Sequence, residues 1–325
     1  MTIEFLPNSP DYQQACDIID NEPLSFWLPA LKKILVEHSL IPEDNAPQWL
    51  RINAGGNALF SLNDKYIVKI VPPNWIYQGQ KEIASTTFLS NKINIPIPNI
   101  FASGELNHWL YIVMEKMPGI PLSDIWPQLT MDEKLPLIIE IGAIAKELQL
   151  KPNSEIPALS VDWQDYIEEL INKCCARHKR NSLPTNLLDK VPSFINEYRH
   201  LFQCSPAFFA HLDLHPWNLL VEKNNSVWQV SGLIDFGDAM FIQDPLFDFI
   251  TPAIFLAQGD KTLFQALLTS YNITNPHQKN MLSKILMAYT LIRPDSNINF
   301  VLSQVPSTVS RDNWEDIASH LFPAT

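Results

Sequence analysis

The chain has 325 residues, of which 46% are hydrophobic, so it can bury a sizeable core and wholesale disorder is excluded. Its formal net charge of −12 argues against a general nucleic-acid binder, which would present a basic face. The same charge is compatible with a cationic small substrate, or with an acidic surface that serves only solubility.

The order of predicted elements is a small β-rich lobe followed by a larger, mainly helical one. The first lobe is expected to contain an amphipathic helix over 24–39, a second helix near 76–91 that ends before a proline pair, and strands at 49–53, 58–62, 66–71, 99–103 and 109–115. The second is expected to contain helices near 131–149, 162–179, 185–203, 245–257, 260–271, 276–292 and 310–321. We place the boundary so that the lobes cover residues 1–115 and 116–325.

The sequence also bears on the compartment. No apolar run of about 18 residues predicts a membrane span, and the N-terminus lacks the basic and then apolar pattern of a secretory signal. The four cysteines show no metal-ligand spacing, and the neighbours Cys174 and Cys175 are typical of a reduced interior. We therefore expect a cytoplasmic protein with no membrane and no nucleic-acid partner.

The most informative motif is His-Leu-Asp-Leu-His-Pro-Trp-Asn at 211–218, followed by Asp-Phe-Gly at 235–237. The two segments supply a candidate proton acceptor, Asp213, and two candidate Mg²⁺ ligands, Asn218 and Asp235. Phosphoryl transfer needs this equipment, because it depends on a metal held against the phosphates and a carboxylate near the attacking hydroxyl. The alternative is a His-capped turn followed by an ordinary strand and tight turn.

Lys69 lies inside an apolar predicted strand, where an ammonium group is costly to bury unless it meets an anion. In a kinase, nucleotide phosphates and a helix glutamate supply that anion, and Glu82 on the next predicted helix is the natural partner. The alternative is that Lys69 extends to solvent at a sheet edge.

The chain resembles the aminoglycoside phosphotransferase and choline-kinase-like family over roughly residues 45–258. The resemblance rests on 211–218 as a His-x-Asp-x-x-x-x-Asn loop, on Ile-Asp-Phe-Gly-Asp-Ala at 234–239, and on Asp-Pro-x-x-Asp at 244–248. It extends to the Val-Met-Glu-Lys-Met-Pro-Gly segment at 113–119 and to the prolines of 95–98. The first 45 and last 60 residues match nothing in the family.

The resemblance implies an α+β, two-lobed protein-kinase-like fold and a role for each matched residue. Asp213 would be the catalytic base or would orient the substrate hydroxyl, and Asn218 and Asp235 would bind Mg²⁺. The nucleotide, ATP or GTP, would be bound by Lys69 paired with Glu82, by the backbone of Glu115 and Met117 at the adenine edge, and by a short phosphate-covering turn at Gly55 and Gly56.

Residues around these motifs are assigned lesser roles. His211 is expected to support the loop by hydrogen bonding, and Trp217 to pack. His215 faces either substrate or the core. Asp238 and Asp244 are expected to be loop-stabilising acceptors.

The implied function is Mg²⁺-dependent transfer of the nucleotide γ-phosphate to a hydroxyl of a small, cationic molecule. The first candidate for the substrate is an aminoglycoside-type antibiotic, including hygromycin-like compounds. The alternatives are choline, a sugar or an amino alcohol. A nucleotide-binding pseudokinase that serves as a scaffold would be a different class of protein. The presence together of Lys69, Asp213, Asn218 and Asp235 disfavours it. Leu212 replaces the Arg of the protein-kinase loop and no Ala-Pro-Glu segment is present, so a regulated protein kinase is disfavoured. Oligomeric state is left open.

Overall fold

A computed structural model describes residues 6–40, 47–52, 56–273, 281–305 and 312–324. The chain divides into two compact units, Met1–Pro118 and Gly119–Thr325. The first is built around a β-sheet and the second is mainly helical, so the expected α+β class with a β-rich N-terminal part is confirmed.

The first unit is a five-stranded antiparallel sheet with helices packed on it. Its helices are α1 (Tyr12–Asn21), α2 (Leu24–Glu37) and α3 (Ile76–Leu89), and its strands are β1 (Trp49–Ile52), β2 (Ala58–Leu62), β3 (Tyr66–Val71), β4 (Ile100–Leu106) and β5 (Trp109–Glu115). The strand order is β1-β2-β3-β5-β4, which makes β3 the central strand.

The two faces of this sheet are buried by different helices, as the alternation of side chains along a strand requires. On one face, Trp27 and Leu31 of α2 pack with Phe60 and Trp109 of the sheet. On the other, α3 covers β5 closely, because Gly79 has no side chain: a Cβ there would lie 2.4 Å from Leu110 Cδ2. Helix α1 was not predicted, although Asp11 and the residue three positions later form its capping box.

The second unit holds most of the helices. They are α4 (Leu122–Ile125), α5 (Met131–Leu148), α6 (Trp163–Arg180), α7 (Thr185–Leu188), α8 (Val191–Tyr198), α9 (Pro245–Pro252), α10 (Lys261–Ser270), α11 (Leu282–Ile292), α12 (Ile298–Ser303) and α13 (Trp314–Leu321). A π-helical turn, Ala253–Ala257, follows α9.

The same unit contains short strands, which the expectation of a mainly helical segment missed. They are β6 (Ile120–Pro121), β7 (Phe208–Ala210), β8 (Leu219–Asn224), β9 (Val227–Leu233) and β10 (Met240–Ile242). β6, β8 and β9 form one sheet, and β7 pairs with β10 in another. Strands of two or three residues are too short to show a period of two, so the sequence carried little signal for β6, β7 and β10.

The prediction of a single helix over 185–203 is also wrong. The segment is broken into α7, α8 and a 3₁₀ turn at Arg199–Leu201. Pro192 lies in the first turn of α8, where its missing N–H is tolerated and where a new helix readily begins. The helices predicted at 276–292 and 310–321 both have their first residues outside the described ranges.

Within the described ranges, no helix is both long enough and apolar enough to cross a membrane. None of the four cysteines forms a disulfide.

Candidate active site

The two sequence motifs meet in the second unit because each connects a strand of one small sheet to a strand of the other. The segment 211–218 links β7 to β8, and 234–239 links β9 to β10. The Ile234 amide donates to the Asn218 carbonyl at 3.0 Å, and the His211 ring lies 3.1 Å from the Ile234 carbonyl. Asn218 and Asp235, 17 residues apart in sequence, are thereby brought together with the loop that carries Asp213.

Asp213 lies at the centre of a hydrogen-bonded group. Its Oδ2 accepts from Asn218 Nδ2 at 3.0 Å and lies 3.1 Å from His215 Nε2. Burial raises the pKa of Asp213, but the hydrogen bond with His215 and the positive charge of Arg293 are among the effects that outweigh it and hold the pKa below its usual range. The carboxylate is therefore ionised at neutral pH and can accept a proton.

His211 supports the loop in the way expected from the sequence. Its Nδ1 accepts the Asp213 amide at 3.2 Å, and its Nε2 lies 3.1 Å from the Ile234 carbonyl, so a neutral ring with the proton on Nε2 satisfies both contacts. Complete burial lowers the pKa of His211 to about 4, which keeps it neutral.

Asp244 and Asp248 are buried acceptors. Asp244 accepts from two amides and from the Tyr289 hydroxyl, and burial raises its pKa to about 6. Asp248 accepts the Leu212 amide at 2.7 Å and the Tyr271 hydroxyl at 3.0 Å. Asp248 thus links α9 directly to the loop.

The donor set of the second unit fits a Mg²⁺ ion. Asn218 Nδ2 is used by the Asp213 carbonyl and carboxylate, which leaves the amide oxygen as the atom for a hard cation. Asp235 supplies a carboxylate. Among the described residues no cluster of three His, Cys, Asp or Glu could hold a metal by itself. Two oxygen donors suit Mg²⁺ bound together with substrate phosphates, because that ion keeps several non-protein ligands.

In the first unit, Lys69 on β3 and Glu82 on α3 form a buried ion pair with 2.7 Å between Nζ and Oε2. Their side chains are only 7% and 2% exposed. Lys69 belongs to the central strand rather than a sheet edge, so its pairing with Glu82 is the one expected from the sequence. Its role in holding phosphates stays a prediction.

The other nucleotide-binding candidates are placed less fully. The Glu115 amide donates to the Asn99 carbonyl at 2.9 Å, whereas the Met117 amide makes no hydrogen bond within the described chain. Contact of either backbone with adenine stays a prediction. Gly56 is exposed and lies in open space, and Gly55 lies outside the described residues.

Sequence reasoning missed two features beside the loop. Phe255, in the π-helical turn, joins His215, Trp217 and Phe300 in a group that we call the aromatic cluster, with ring centroids 5.0 to 6.1 Å apart. Trp217 and Phe300 are 46% and 48% exposed, so Trp217 does not simply pack in the core. Arg293 donates to the Leu212 carbonyl. An isolated Phe or Arg far along the chain gave no pattern that could have predicted either contact.

Comparison with known proteins gives relatives of two kinds. The lysine-specific demethylase JMJ21 of Arabidopsis thaliana is 20% identical over 279 residues, which are 68% of this chain and 29% of that protein. The GDP complex of wild-type aminoglycoside 2′-phosphotransferase-IIIa superposes with a TM-score of 0.68 at 16% identity, covering 85% of this chain and 96% of that one. The streptomycin–ATP ternary complex of APH(2″)-IIa gives 0.58 at 19% identity, covering 80% and 89%.

These likenesses have different weights. The chain spans less than a third of the demethylase it matches, and the structural matches, all below 25% identity, show the fold alone. The sequence profile of the phosphotransferase enzyme family, in contrast, matches residues 44–280, which include both motif segments and the Lys69–Glu82 pair. The chain belongs to the phosphotransferase enzyme family.

Proposed function

We propose that this phosphotransferase moves the γ-phosphate of ATP or GTP to a hydroxyl of a small molecule, in a Mg²⁺-dependent reaction with Asp213 beside the attacking oxygen. The observation that carries the proposal is the position of the Asp213 carboxylate, which is held by Asn218 on a loop with left-handed backbone at Leu212, beside the segment that carries Asp235. The bound nucleotides named for the similar structures, GDP and ATP, support a nucleotide donor.

In the reaction, Asp213 orients the acceptor hydroxyl and takes its proton as the oxygen bonds to the γ-phosphorus. The bond between that phosphorus and the β–γ bridging oxygen breaks, and the nucleoside diphosphate leaves with the electron pair. Asn218 keeps one Asp213 oxygen occupied, so the carboxylate rotamer is fixed before substrate arrives.

Asn218 and Asp235 would hold the metal, and Lys69 would contact the phosphates. When bound, Mg²⁺ neutralises charge on the transferred phosphate. Glu82 lies 2.7 Å from the Lys69 ammonium and holds it in place within the first unit. The Met117 amide would donate to the adenine or guanine ring.

An aminoglycoside-type acceptor is the first candidate. One similar structure contains streptomycin with ATP, and the chain has 35 acidic against 23 basic residues. Asp238 lies near Asp213: burial first and then the charges of Asp213 and Asp295 raise the pKa of Asp238 to about 6. A group of carboxylates of this kind attracts amino-sugar nitrogens.

A smaller amino alcohol, such as choline, is the second candidate, and the aromatic cluster favours it. The Trp217 and Phe255 ring centroids lie 5.8 Å apart, and His215, which contacts both rings, lies 3.1 Å from Asp213. Exposed aromatic faces bind alkylated ammonium groups, Trp best of all. The cluster would then hold the cation while Asp213 faces the hydroxyl.

The test is a phosphate-transfer assay with ATP and GTP against streptomycin, kanamycin, choline and a neutral sugar. Asp213→Asn should lower kcat by about 10²–10⁴-fold on the accepted substrate and leave nucleotide affinity unchanged. The matched control is Asp189→Asn, an exposed carboxylate in the same unit, which should behave as wild type. Nucleotide binding with no transfer to any of the four acceptors would instead favour a binding-only pseudokinase.

A further inference from the structure

Leu212, the residue before Asp213, has a backbone that ordinary side chains avoid. Its φ is 66°, in the left-handed region, and its side chain is buried. For a bulky residue that conformation is strained and persists only where neighbours hold it. Because Leu212 directly precedes Asp213, its peptide geometry sets the direction of the Asp213 side chain.

Three side chains hold the backbone of Leu212 from outside the loop. Asp248 accepts its amide at 2.7 Å, and the Thr251 hydroxyl donates to its carbonyl at 3.1 Å. Arg293 Nη2 donates to the same carbonyl at 2.5 Å, while Arg293 Nη1 donates to Thr251 Oγ1 at 2.7 Å. The two forked donors of the guanidinium thus tie the carbonyl and the hydroxyl together, a geometry that a single ammonium cannot reproduce.

Arg293 is itself held firmly. It follows α11 directly, and its amide donates to the Tyr289 carbonyl at 3.0 Å. The last carbonyls of α11, at Leu291 and Ile292, accept from Arg177 of α6 at 3.0 Å. These contacts satisfy groups that a helix end leaves open, so the end of α11 is a rigid support for Arg293.

We propose that Arg293 is a positioning residue for phosphoryl transfer. By binding the Leu212 carbonyl it keeps the Leu212 backbone in the left-handed conformation, and this directs the Asp213 carboxylate toward the acceptor hydroxyl. Arg293 lies outside the segment 44–280 that matches the family, and it supplies from α11 a guanidinium where the loop itself has Leu212. The proposal rests on the function proposed above, in that Asp213 must act on the hydroxyl.

The test uses Arg293→Met and Arg293→Lys in the full chain, with two readouts. For Arg293→Met we expect kcat to fall about 10–100-fold, the scale of a misplaced catalytic group, with the acceptor KM and nucleotide Kd changed less than about twofold. Amide hydrogen exchange in the peptide covering 209–218 should speed up by about tenfold. Arg293→Lys, which keeps the charge but has a single donor nitrogen, should lie between Arg293→Met and wild type in both readouts.

The matched control is Trp314→Phe in α13, which removes a buried hydrogen bond of 3.1 Å to the Leu187 carbonyl in the same unit. It should lower Tm while kcat and loop exchange stay at wild-type values. The proposal is overturned if Arg293→Met keeps kcat within about twofold of wild type, or if loop exchange in Arg293→Met does not rise above that in Trp314→Phe. If the wild-type protein transfers no phosphate, the proposed function fails, and the exchange comparison still decides whether Arg293 clamps the loop.

Discussion

Left-handed backbone at two non-glycine residues marks the candidate site at the scale of single residues. Leu212 and Asp235 have φ values of 66° and 63°, one in each motif segment. Asp tolerates this region better than Leu because its short polar side chain can hydrogen-bond locally. Strain of this kind persists where the surrounding contacts are strong, and at Leu212 those contacts come from Asp248, Thr251 and Arg293.

Two substitutions at Asp235 test the metal assignment. They separate the effect of losing the carboxylate charge from the effect of straining the left-handed backbone. Asp235→Asn keeps tolerance of the left-handed region and removes the carboxylate, so Mg-nucleotide affinity should fall about tenfold or more with little change in Tm. Asp235→Ala should lose affinity similarly and also lower Tm, because Ala is strained at this φ. Titration calorimetry with Mg-nucleotide and thermal melts give both numbers, and unchanged affinity in Asp235→Asn would disprove the metal role.

The Lys69–Glu82 pair calls for a double substitution, because the pair is buried. Lys69→Met or Glu82→Gln alone should destabilise the protein by about 3–5 kcal/mol, since each leaves the other charge in the interior without its 2.7 Å partner. Lys69→Met with Glu82→Gln should recover much of that stability but not nucleotide turnover. Denaturant unfolding and steady-state kinetics of the three variants separate the roles. A double variant with normal turnover would show that the pair is structural only.

At the scale of elements, Asp244 ties α9 to its surroundings. It is the N-cap of α9 and accepts the Leu246 amide at 2.9 Å. It also accepts the Gln203 amide, just before β7, at 2.7 Å and the Tyr289 hydroxyl of α11 at 2.6 Å. One carboxylate therefore connects the helix that carries Asp248 and Thr251 to the helix that precedes Arg293.

This carboxylate should make stability depend on pH. Burial raises the pKa of Asp244 to about 6, above the value of about 3.9 for an unfolded Asp. The folded state therefore binds the proton more tightly, so the contribution is fully present below pH about 4 and is lost as pH rises through about 6.

The comparison that isolates Asp244 is wild type against Asp244→Asn. The Tm of wild type relative to the variant should decrease between pH about 4 and 6 and level off above. A Tm difference that is constant or that grows over this range would contradict the assignment. Asp189→Asn again serves as the exposed control.

At the scale of the whole molecule, the charge of −12 favours capture of cationic acceptors. Such attraction is screened over about 8 Å at physiological salt, so it acts on the approach of substrate rather than on the bound state. The KM for streptomycin or kanamycin should therefore rise several-fold between low and moderately high salt, whereas the KM of any neutral acceptor should not change. A neutral sugar turned over best, with no salt dependence, would remove the cationic-substrate proposal and leave the kinase proposal standing.

Much of the candidate site could be predicted from the sequence, because the residues that form it lie close together along the chain or follow a local pattern. The spacing from Asp213 to Asn218 lies within one loop, and Asp235 follows a single strand pair. Lys69 inside an apolar strand required a buried anion, and the next helix offered Glu82. The expected sheet of the first unit followed in the same way from alternating apolar residues and turn signals.

What only the tertiary structure decided is non-local. Arg293 reaches Leu212 across 81 positions of sequence, and Phe255 joins the aromatic cluster through a π-helical turn. No spacing or period encodes such contacts, because they depend on how elements distant in sequence pack together. The short strands β6, β7 and β10 are also decided by non-local contacts. They form because they pair with segments distant in sequence, not because of the strand propensity of their own residues. The sequence by itself thus determined which chemical groups are present, and packing determined which of them are held rigidly enough to act together.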